Sequence, residues 1–218
     1  APRDRDAGPV LAELELTGSG DEPTSSANFY PRLQRRPRSD DTVVIETGTC
    51  MSHLNSMRLP AGVGAEGQGL WGSIGWATPA TMGIAMAKTT GRTWLVTGDG
   101  SHQTTLNELA VMGRYGVTPV IIVLNNGLYG IEDVISERGH GYDDLAPVNY
   151  HLLPAAFGCT DWLSARVSTV AELDAALDAV DAHDGAAYLE VMIPDEESQP
   201  LPVDVIDRGY KLRTPGDR

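Results

Sequence analysis

The sequence has 218 residues, 41% hydrophobic and 21% charged, a composition typical of a globular protein with room for a substantial core. Sixteen basic against thirty acidic residues give a net charge of −14, which argues against nucleic-acid binding. Two cysteines suit neither a disulfide framework nor a zinc site, and the apolar stretches are too short to span a membrane, so we expect a cytoplasmic protein.

The first part of the chain, residues 1–38, is predicted to be a linker or N-terminal extension. It is rich in Pro, Gly, Asp and Ser up to about position 26, and a helical turn is expected near residues 28–33. Four arginines lie at positions 32, 35, 36 and 38, and two aspartates follow at positions 40 and 41. We expect this basic cluster to be a solvated part of the linker.

Residues 39–195 are predicted to form the folded domain, and residues 196–218 a polar C-terminal tail. Apolar or β-branched runs predict strands at residues 42–46, 93–97, 119–124 and 187–193. Helical spacing predicts helices at residues 76–88, near residues 106–113 and from about residue 170. Strands that alternate with helices in this way indicate an α/β fold with a doubly wound, mostly parallel sheet flanked by helices.

Small and amide residues follow three of the predicted strands. They form the sequences TGT at residues 47–49, GDGS at residues 98–101 and NNG at residues 125–127. In a doubly wound sheet, ligands bind at the carboxyl ends of the strands. We therefore expect these three turns to meet at one ligand site.

Two of these turns carry the residue types of a magnesium site. The glycines around Asp99 let backbone N–H groups approach a phosphate closely, and Asp99 supplies a hard oxygen. The spacing to Asn125 and Asn126 would bring an amide oxygen beside that carboxylate. Each motif alone could be an ordinary turn. Together they would supply one carboxylate, one amide oxygen and one backbone carbonyl, which leaves room for two phosphate oxygens and a water around magnesium.

Several of these motifs together resemble a known family. GDGS at residues 98–101, followed by NN at residues 125–126, resembles the cofactor signature of thiamine-diphosphate enzymes. ETGT at residues 46–49, QGLWGSIG at residues 68–75 and NNGLYGIE at residues 125–132 are similar to the pyruvate and indolepyruvate decarboxylase group. The resemblance runs from about residue 41 to residue 194, and implies the C-terminal, diphosphate-binding domain of a 2-oxo-acid decarboxylase, a lyase.

The resemblance implies how the diphosphate end of the cofactor is held. Magnesium would be bound by the side chains of Asp99 and Asn126 and by the backbone carbonyl of Leu128. The diphosphate would be held by Gly100 and Ser101. The full set of implied cofactor contacts is Thr49, Gly72, Ser73, Ile74, Asp99, Gly100, Ser101, Asn126, Leu128 and Tyr129.

The resemblance also implies roles at the reactive end. The Gly72 carbonyl would accept a hydrogen bond from the exocyclic amine of the cofactor, and Ile74 would be the apolar wedge that bends it. Ile131 and Glu132 would face the substrate, with Glu132 exchanging a proton as carbon dioxide leaves. The alternatives are an ordinary core isoleucine for Ile74 and a solvent-facing helix residue for Glu132.

A further domain is expected to complete the enzyme. In the resembling family, a glutamate of another domain, on a neighbouring subunit, contacts the aminopyrimidine ring of the cofactor. The 218 residues contain no counterpart of that domain, so we expect an incomplete catalyst that requires a second chain or domain in a homo- or hetero-oligomer. The chain is then either the natural subunit of a split enzyme or a fragment of a longer polypeptide.

Three functions stay open at this point. The first is decarboxylation of a 2-oxo acid, with a bulky or aromatic side chain, to an aldehyde and carbon dioxide. The second is carboligation to an acyloin with the same cofactors, thiamine diphosphate and magnesium, and the third is a non-catalytic cofactor-binding or regulatory subunit. Glu132 favours the first, because aldehyde formation requires a proton.

Overall fold

The structure is a computed structural model that describes residues 13–55, 57–135 and 141–193. Its strands are β1 (Thr42–Ile45), β2 (Gly64–Gly67), β3 (Thr93–Gly98), β4 (Val120–Asn125), β5 (Leu163–Val167) and β6 (Ala187–Met192). Its α-helices are α1 (Ser26–Leu33), α2 (Thr49–Leu54), α3 (Ala77–Ala87), α4 (Asp99–Gln103), α5 (Glu108–Tyr115), α6 (Gly130–Ile135), α7 (Leu153–Ala156) and α8 (Val170–Ala182). A 3-10 helix, Tyr150–Leu152, precedes α7.

The six strands form one sheet in the order β2-β1-β3-β4-β6-β5, and every neighbouring pair is parallel. The predicted α/β class and doubly wound sheet are therefore confirmed, with a sheet that is wholly parallel over the described residues. None of the helices within those residues is long and apolar enough to cross a lipid bilayer.

Both faces of the sheet are covered, which explains why the central strand β4 is apolar from Val120 to Leu124. In β1, Val43 and Ile45 pack into a core with α1, α2 and α8, whereas Val44 points to the opposite face. That second core contains residues of α3 and α5, including Leu109. The alternation follows from the two-residue period of a strand, so each face receives every second side chain.

The arginine cluster before β1 differs from the prediction that it is solvated. Helix α1 buries Phe29 completely in the core, and this brings Arg32 over α8. Arg32 is itself buried, and its Nε lies 2.7 Å from Asp174 Oδ1. Arg36 lies 2.7 Å from Asp178. Helix α8 presents acidic side chains toward α1, so Arg32 and Arg36 pair with them. Arg35 and Arg38 are exposed, as predicted. The division into a linker at residues 1–38, a domain at residues 39–195 and a tail stays a prediction.

Candidate functional site

Three turns meet at one edge of the sheet, beyond the carboxyl ends of β1, β3 and β4. These strands are direct neighbours, with β3 in the middle. Residues 47–49 follow β1, Asp99 opens α4 immediately after β3, and Asn125 is the last residue of β4. The parallel register therefore gathers the three motifs that the sequence separates by about fifty and about thirty residues.

Asp99 joins the turn after β3 to the turn after β4. Its side chain is buried, with the residue only 2% exposed. Oδ1 accepts a hydrogen bond from the Gly100 N–H at 2.9 Å, and Oδ2 accepts one from the Gly127 N–H at 2.8 Å. Burial raises the pKa of Asp99 to about 6, although these backbone hydrogen bonds lower it. A carboxylate that is this poorly solvated is one whose charge a bound cation would stabilise.

The segment after β4 supplies two further oxygen atoms. The Asn126 side chain is half-buried, and its Oδ1 accepts a hydrogen bond from the Leu128 N–H at 3.3 Å. The Leu128 carbonyl accepts one from the Gly130 N–H at 3.0 Å and keeps a second lone pair. A carboxylate, an amide and a carbonyl form a donor set that fits a hard cation such as magnesium. Within the described residues no cluster of three or more His, Cys, Asp or Glu side chains is suited to a metal ion.

The two adjacent asparagines have different environments. Asn125 is buried, and its Nδ2 donates to Glu190 Oε1 of β6 at 2.7 Å. This hydrogen bond holds Asn125 against the sheet, one residue before the turn. Asn126 instead belongs to the loop whose backbone N–H groups donate to Asp99.

The two glycines that flank Asp99 are not equivalent. A Cβ at Gly98 would meet no atom within 4 Å, so this side of the turn is open. A Cβ at Gly100 would lie 2.5 Å from Tyr129 Cε1 and 3.1 Å from Leu145 Cδ1. Gly100 thus permits α4 to approach the Tyr129 ring, whereas Gly98 leaves space in which a phosphate could lie. The Gly100 N–H, expected at the diphosphate, here donates to Asp99.

Two other residues expected near the diphosphate flank this turn. Thr49 is half-buried at the start of α2. Ser101 is buried in α4, and its carbonyl accepts a hydrogen bond from the Thr104 hydroxyl at 2.7 Å. Both therefore belong to the same edge of the sheet as Asp99.

The loop between β2 and α3 is exposed although it is apolar. Trp71 is 81% exposed and Ile74 is 44% exposed, so Ile74 is not an ordinary core residue. Gly72 has a φ of +59°, which favours glycine, and Ser73 beside it is exposed. A Cβ at Gly72 would lie 3.8 Å from Thr47 Oγ1 of the turn after β1. The expected contacts with the reactive end of the cofactor thus lie next to the first of the three turns.

The two residues expected to face the substrate lie on α6. Ile131 is half-buried and Glu132 is exposed. The Glu132 N–H donates to the Tyr129 carbonyl at 2.9 Å, so the helix continues directly from the loop that carries Asn126. This exposure is compatible both with a substrate-facing carboxyl group and with a solvent-facing one.

Tyr150 contacts the backbone of Asp99, and no motif in the sequence indicates this role. Its hydroxyl donates to the Asp99 backbone carbonyl at 3.3 Å and accepts from Gln103 Nε2 at 2.7 Å. Tyr150 is itself buried, in the 3-10 helix before α7. It therefore fixes the backbone that carries the carboxylate.

Two of the histidines, His53 and His102, have structural surroundings. His102 is fully buried, with its Nδ1 3.0 Å from the Thr78 hydroxyl, and burial lowers its pKa to about 4. His53 stacks on Tyr30 with ring centroids 4.5 Å apart. Both side chains are therefore engaged in packing contacts, and His140 lies outside the described residues.

Comparison with known proteins identifies the family. Residues 47–191 match the model of the thiamine pyrophosphate enzyme C-terminal TPP-binding domain. An alpha-keto-acid decarboxylase of Mycobacterium avium (strain 104) is 36% identical over 201 residues, which are 92% of this chain and 36% of that protein. Proteins of the same name from Mycobacterium bovis (strain BCG / Pasteur 1173P2) and Mycobacterium ulcerans (strain Agy99) are 38% identical over 175 residues and 36% identical over 182 residues. These alignments cover 80% and 83% of this chain, and 31% and 32% of the relatives.

The chain therefore spans about one third of the length of the curated relatives that it matches. The family match covers more than half of the chain and includes all three turns of the site from residue 47 onward. The chain belongs to the thiamine pyrophosphate enzymes, in which it corresponds to the C-terminal TPP-binding domain.

Proposed function

We propose that this chain is the diphosphate- and magnesium-binding part of an enzyme that decarboxylates a 2-oxo acid to an aldehyde and carbon dioxide. The observation that carries the proposal is the buried Asp99 carboxylate, which is hydrogen-bonded to the turns after both β3 and β4. The names of the relatives support the reaction type. The raised pKa of Asp99 supports the metal, because a nearby cation favours the charged form.

Magnesium would be held by Asp99, by the Asn126 amide oxygen and by the Leu128 carbonyl. Each carboxylate oxygen of Asp99 accepts a backbone hydrogen bond, from Gly100 or from Gly127, and has a further lone pair available. Thr49, Gly100 and Ser101 would line the diphosphate, on the open side of the turn at Gly98.

The loop at residues 72–74 would hold the other end of the cofactor. The Gly72 carbonyl would accept a hydrogen bond from its amine, Ser73 would line it, and Ile74 would set its bent shape. The exposure of Ile74 supports this role, because an isoleucine of the loop is available to a ligand. Tyr129 packs over Gly100 and would close the side between the two ends.

When bound, thiamine diphosphate supplies the carbanion that adds to the 2-oxo acid and accepts the charge left by carbon dioxide. The chain contributes positioning and a proton. Glu132, at the start of α6, would exchange that proton at the reacting carbon, and Ile131 would contact the substrate side chain. A bulky or aromatic substrate is proposed on the likeness to the indolepyruvate decarboxylase group.

The pyrimidine-binding half of the site would come from a second chain or from another domain of a longer polypeptide, in an oligomer. The chain spans about one third of its relatives, which supports a further contribution to the enzyme. The exposed apolar residues Leu70, Trp71 and Ile74 beside the site support a surface that another domain covers.

Magnesium-dependent binding tests the proposal. Isothermal titration of the purified chain with thiamine diphosphate should give heat of binding with magnesium and none with a chelator. Asp99→Asn should weaken this binding by at least about a hundredfold, since loss of a charged ligand costs several kcal/mol. Asp161→Asn, a substitution of an exposed aspartate before β5, is the matched control and should bind like the wild type. Equal binding with and without magnesium would contradict the assignment.

A further inference from the structure

Glu46 is a buried carboxylate at the carboxyl end of β1 that none of the roles above uses. The residue is 1% exposed. Its Oε1 accepts a hydrogen bond from the Thr47 N–H at 2.9 Å. Its Oε2 accepts two more, from the Gly75 N–H at 3.1 Å and from the Ala77 N–H at 3.2 Å. Both oxygens are therefore engaged, and by different segments of the chain.

The two segments are the two ends of the proposed cofactor site. Thr47 begins the turn after β1, which carries Thr49. Gly75 ends the loop that carries Gly72 and Ile74, and Ala77 is the first residue of α3. Glu46 is thus a bridge between the diphosphate side and the loop expected at the aminopyrimidine ring.

Gly75 is held from the other side as well. Its carbonyl accepts a hydrogen bond from the Thr105 hydroxyl at 2.9 Å, and a Cβ at this position would overlap the Thr104 hydroxyl. The loop before it is exposed, with Ile74 at 44%. Its placement therefore depends on the anchors at Gly75, and Glu46 is the anchor that connects it to β1.

Burial of the Glu46 carboxylate beside the start of α3 costs free energy, because the charge loses its hydration. Burial raises the pKa of Glu46 above its usual value, although the hydrogen bonds from Thr47, Ala77 and Gly75 lower it. A serine, threonine or aspartate at the residue before α3 would satisfy the first N–H groups at a smaller cost. Trp76 occupies that position and makes no side-chain cap. The carboxylate reaches across from β1 instead, which joins two segments that a local cap would leave independent.

We propose that Glu46 is a positioning residue, whose carboxylate fixes the loop at residues 72–74 relative to the turn at residues 47–49. It thereby sets the distance between the group that accepts the cofactor amine and the groups that line the diphosphate. This inference rests on the proposed function, since it assigns a role within the same cofactor site.

The chemistry of the bridge makes it sensitive to one atom. A carboxylate has two acceptor oxygens, whereas glutamine has one acceptor and one NH₂ donor. In Glu46→Gln, the NH₂ group must face the N–H of either Thr47 or of Gly75 and Ala77. One side of the bridge is then lost while the size of the side chain is retained.

Two ligands separate positioning from mere stability. The chain is titrated calorimetrically, in magnesium, with thiamine diphosphate and with inorganic pyrophosphate, which lacks the amine-bearing ring. We expect Glu46→Gln to lower the affinity for thiamine diphosphate about tenfold or more and to change that for pyrophosphate less than about twofold. Glu66→Gln, an exposed glutamate on β2, is the matched control and should change neither affinity.

Amide hydrogen exchange gives a readout that does not depend on the cofactor. In the ligand-free chain, Glu46→Gln should speed exchange at one side of the bridge, at Thr47 or at Gly75 and Ala77. Exchange in α5 and α8 should stay as in the wild type, because the core is unchanged.

The outcomes are distinguishable. Unchanged affinity for thiamine diphosphate in a folded Glu46→Gln chain overturns the inference, as does an equal loss for both ligands. If that variant does not fold, Glu46→Asp is used, which keeps the charge but is one methylene too short to span both segments. If neither variant folds, Glu46 is a structural residue and the inference fails. If the wild-type chain binds neither ligand in a magnesium-dependent way, the proposed function itself is wrong.

Discussion

Asp99 and His102 lie three positions apart, and burial shifts their pKa values in opposite directions. The pKa of Asp99 is raised to about 6 and that of His102 is lowered to about 4, in both cases because burial disfavours the charged form. Backbone N–H groups stabilise the ionised form of Asp99, and the metal proposed beside it would stabilise that form further. His102 packs near Tyr150 and Tyr188, with ring centroids 6.3 and 5.8 Å away. The carboxyl group is thus suited to a cation, and the imidazole to a neutral core.

The lowered pKa of the buried His102 should make the folded chain less stable in acid. Its pKa in the folded chain lies below the ordinary value of 6.5, so its contribution is present above pH 6.5 and is lost as the pH falls toward 4. The difference in unfolding free energy between the wild type and His102→Leu should fall by up to about 3 kcal/mol from pH 7 to pH 4. Urea unfolding at both pH values in the presence of a chelator measures it.

Comparison with the variant isolates the histidine. The raised pKa values of Asp99 and Glu46 give the opposite trend, with stability lost as the pH rises, but they contribute to both proteins and cancel in the difference. A difference that is the same at pH 7 and pH 4 would show that folding does not lower the pKa of His102.

At the scale of elements, the approach of α4 to the segment after β4 shapes the site. Gly100 lies in α4 and Tyr129 precedes α6, and their contact leaves no space for a side chain at position 100. The bridge between Leu128 and Asp144 holds the same segment from the other side. The position of Asn126 therefore depends on packing between elements as well as on the turn itself.

The two glycines of the GDGS turn should respond differently to alanine. Gly100→Ala should lower the unfolding free energy by about 1–3 kcal/mol, because the new Cβ displaces the Tyr129 ring. Gly98→Ala is the matched control: Gly98 has a φ of −77°, its Cβ position is open, and we expect less than about 0.5 kcal/mol. Chemical denaturation without ligand measures both, and equal effects would contradict the packing argument.

The central strands of the sheet are predicted from the sequence, whereas the edge strands β2 and β5 are not. β4 is an uninterrupted apolar run because both of its faces are covered, so composition alone identifies it. β2 has the sequence GAEG, with no β-branched or aromatic residue, and its strand character comes from pairing with β1. β5 is not among the predicted strands, although Leu163, Ala165 and Val167 point inward with a two-residue period that is visible in the sequence.

At the scale of the whole molecule, the site is assembled from contacts that are distant in sequence. Asp99 and the pair Asn125 and Asn126 are indicated because they follow recognisable strands, and the family resemblance singles out Asn126 from that pair. Glu46 binds Gly75 across 29 residues and Tyr150 reaches Asp99 across 51, and no local pattern indicates either contact. The residues proposed to bind the cofactor were thus within reach of sequence analysis, whereas the residues that position them required the fold.

The division of the site between this chain and the rest of the enzyme predicts the outcome of an activity assay. The isolated chain, with magnesium and thiamine diphosphate, should release no aldehyde from 2-oxo acids, and addition of the pyrimidine-binding half should restore turnover. Glu132→Gln should reduce the restored turnover about a hundredfold or more while cofactor affinity stays the same. A coupled aldehyde assay measures this, and robust turnover by the isolated chain would contradict the division.

Crystals of the chain grown with thiamine diphosphate and with manganese in place of magnesium test the central claim most directly, since the anomalous signal locates the metal. We predict one strong peak bonded to an Asp99 carboxylate oxygen, the Asn126 amide oxygen and the Leu128 carbonyl, with phosphate oxygens beside it. A cofactor bound with no metal between Asp99 and Asn126, or a metal held by other side chains, would contradict the account.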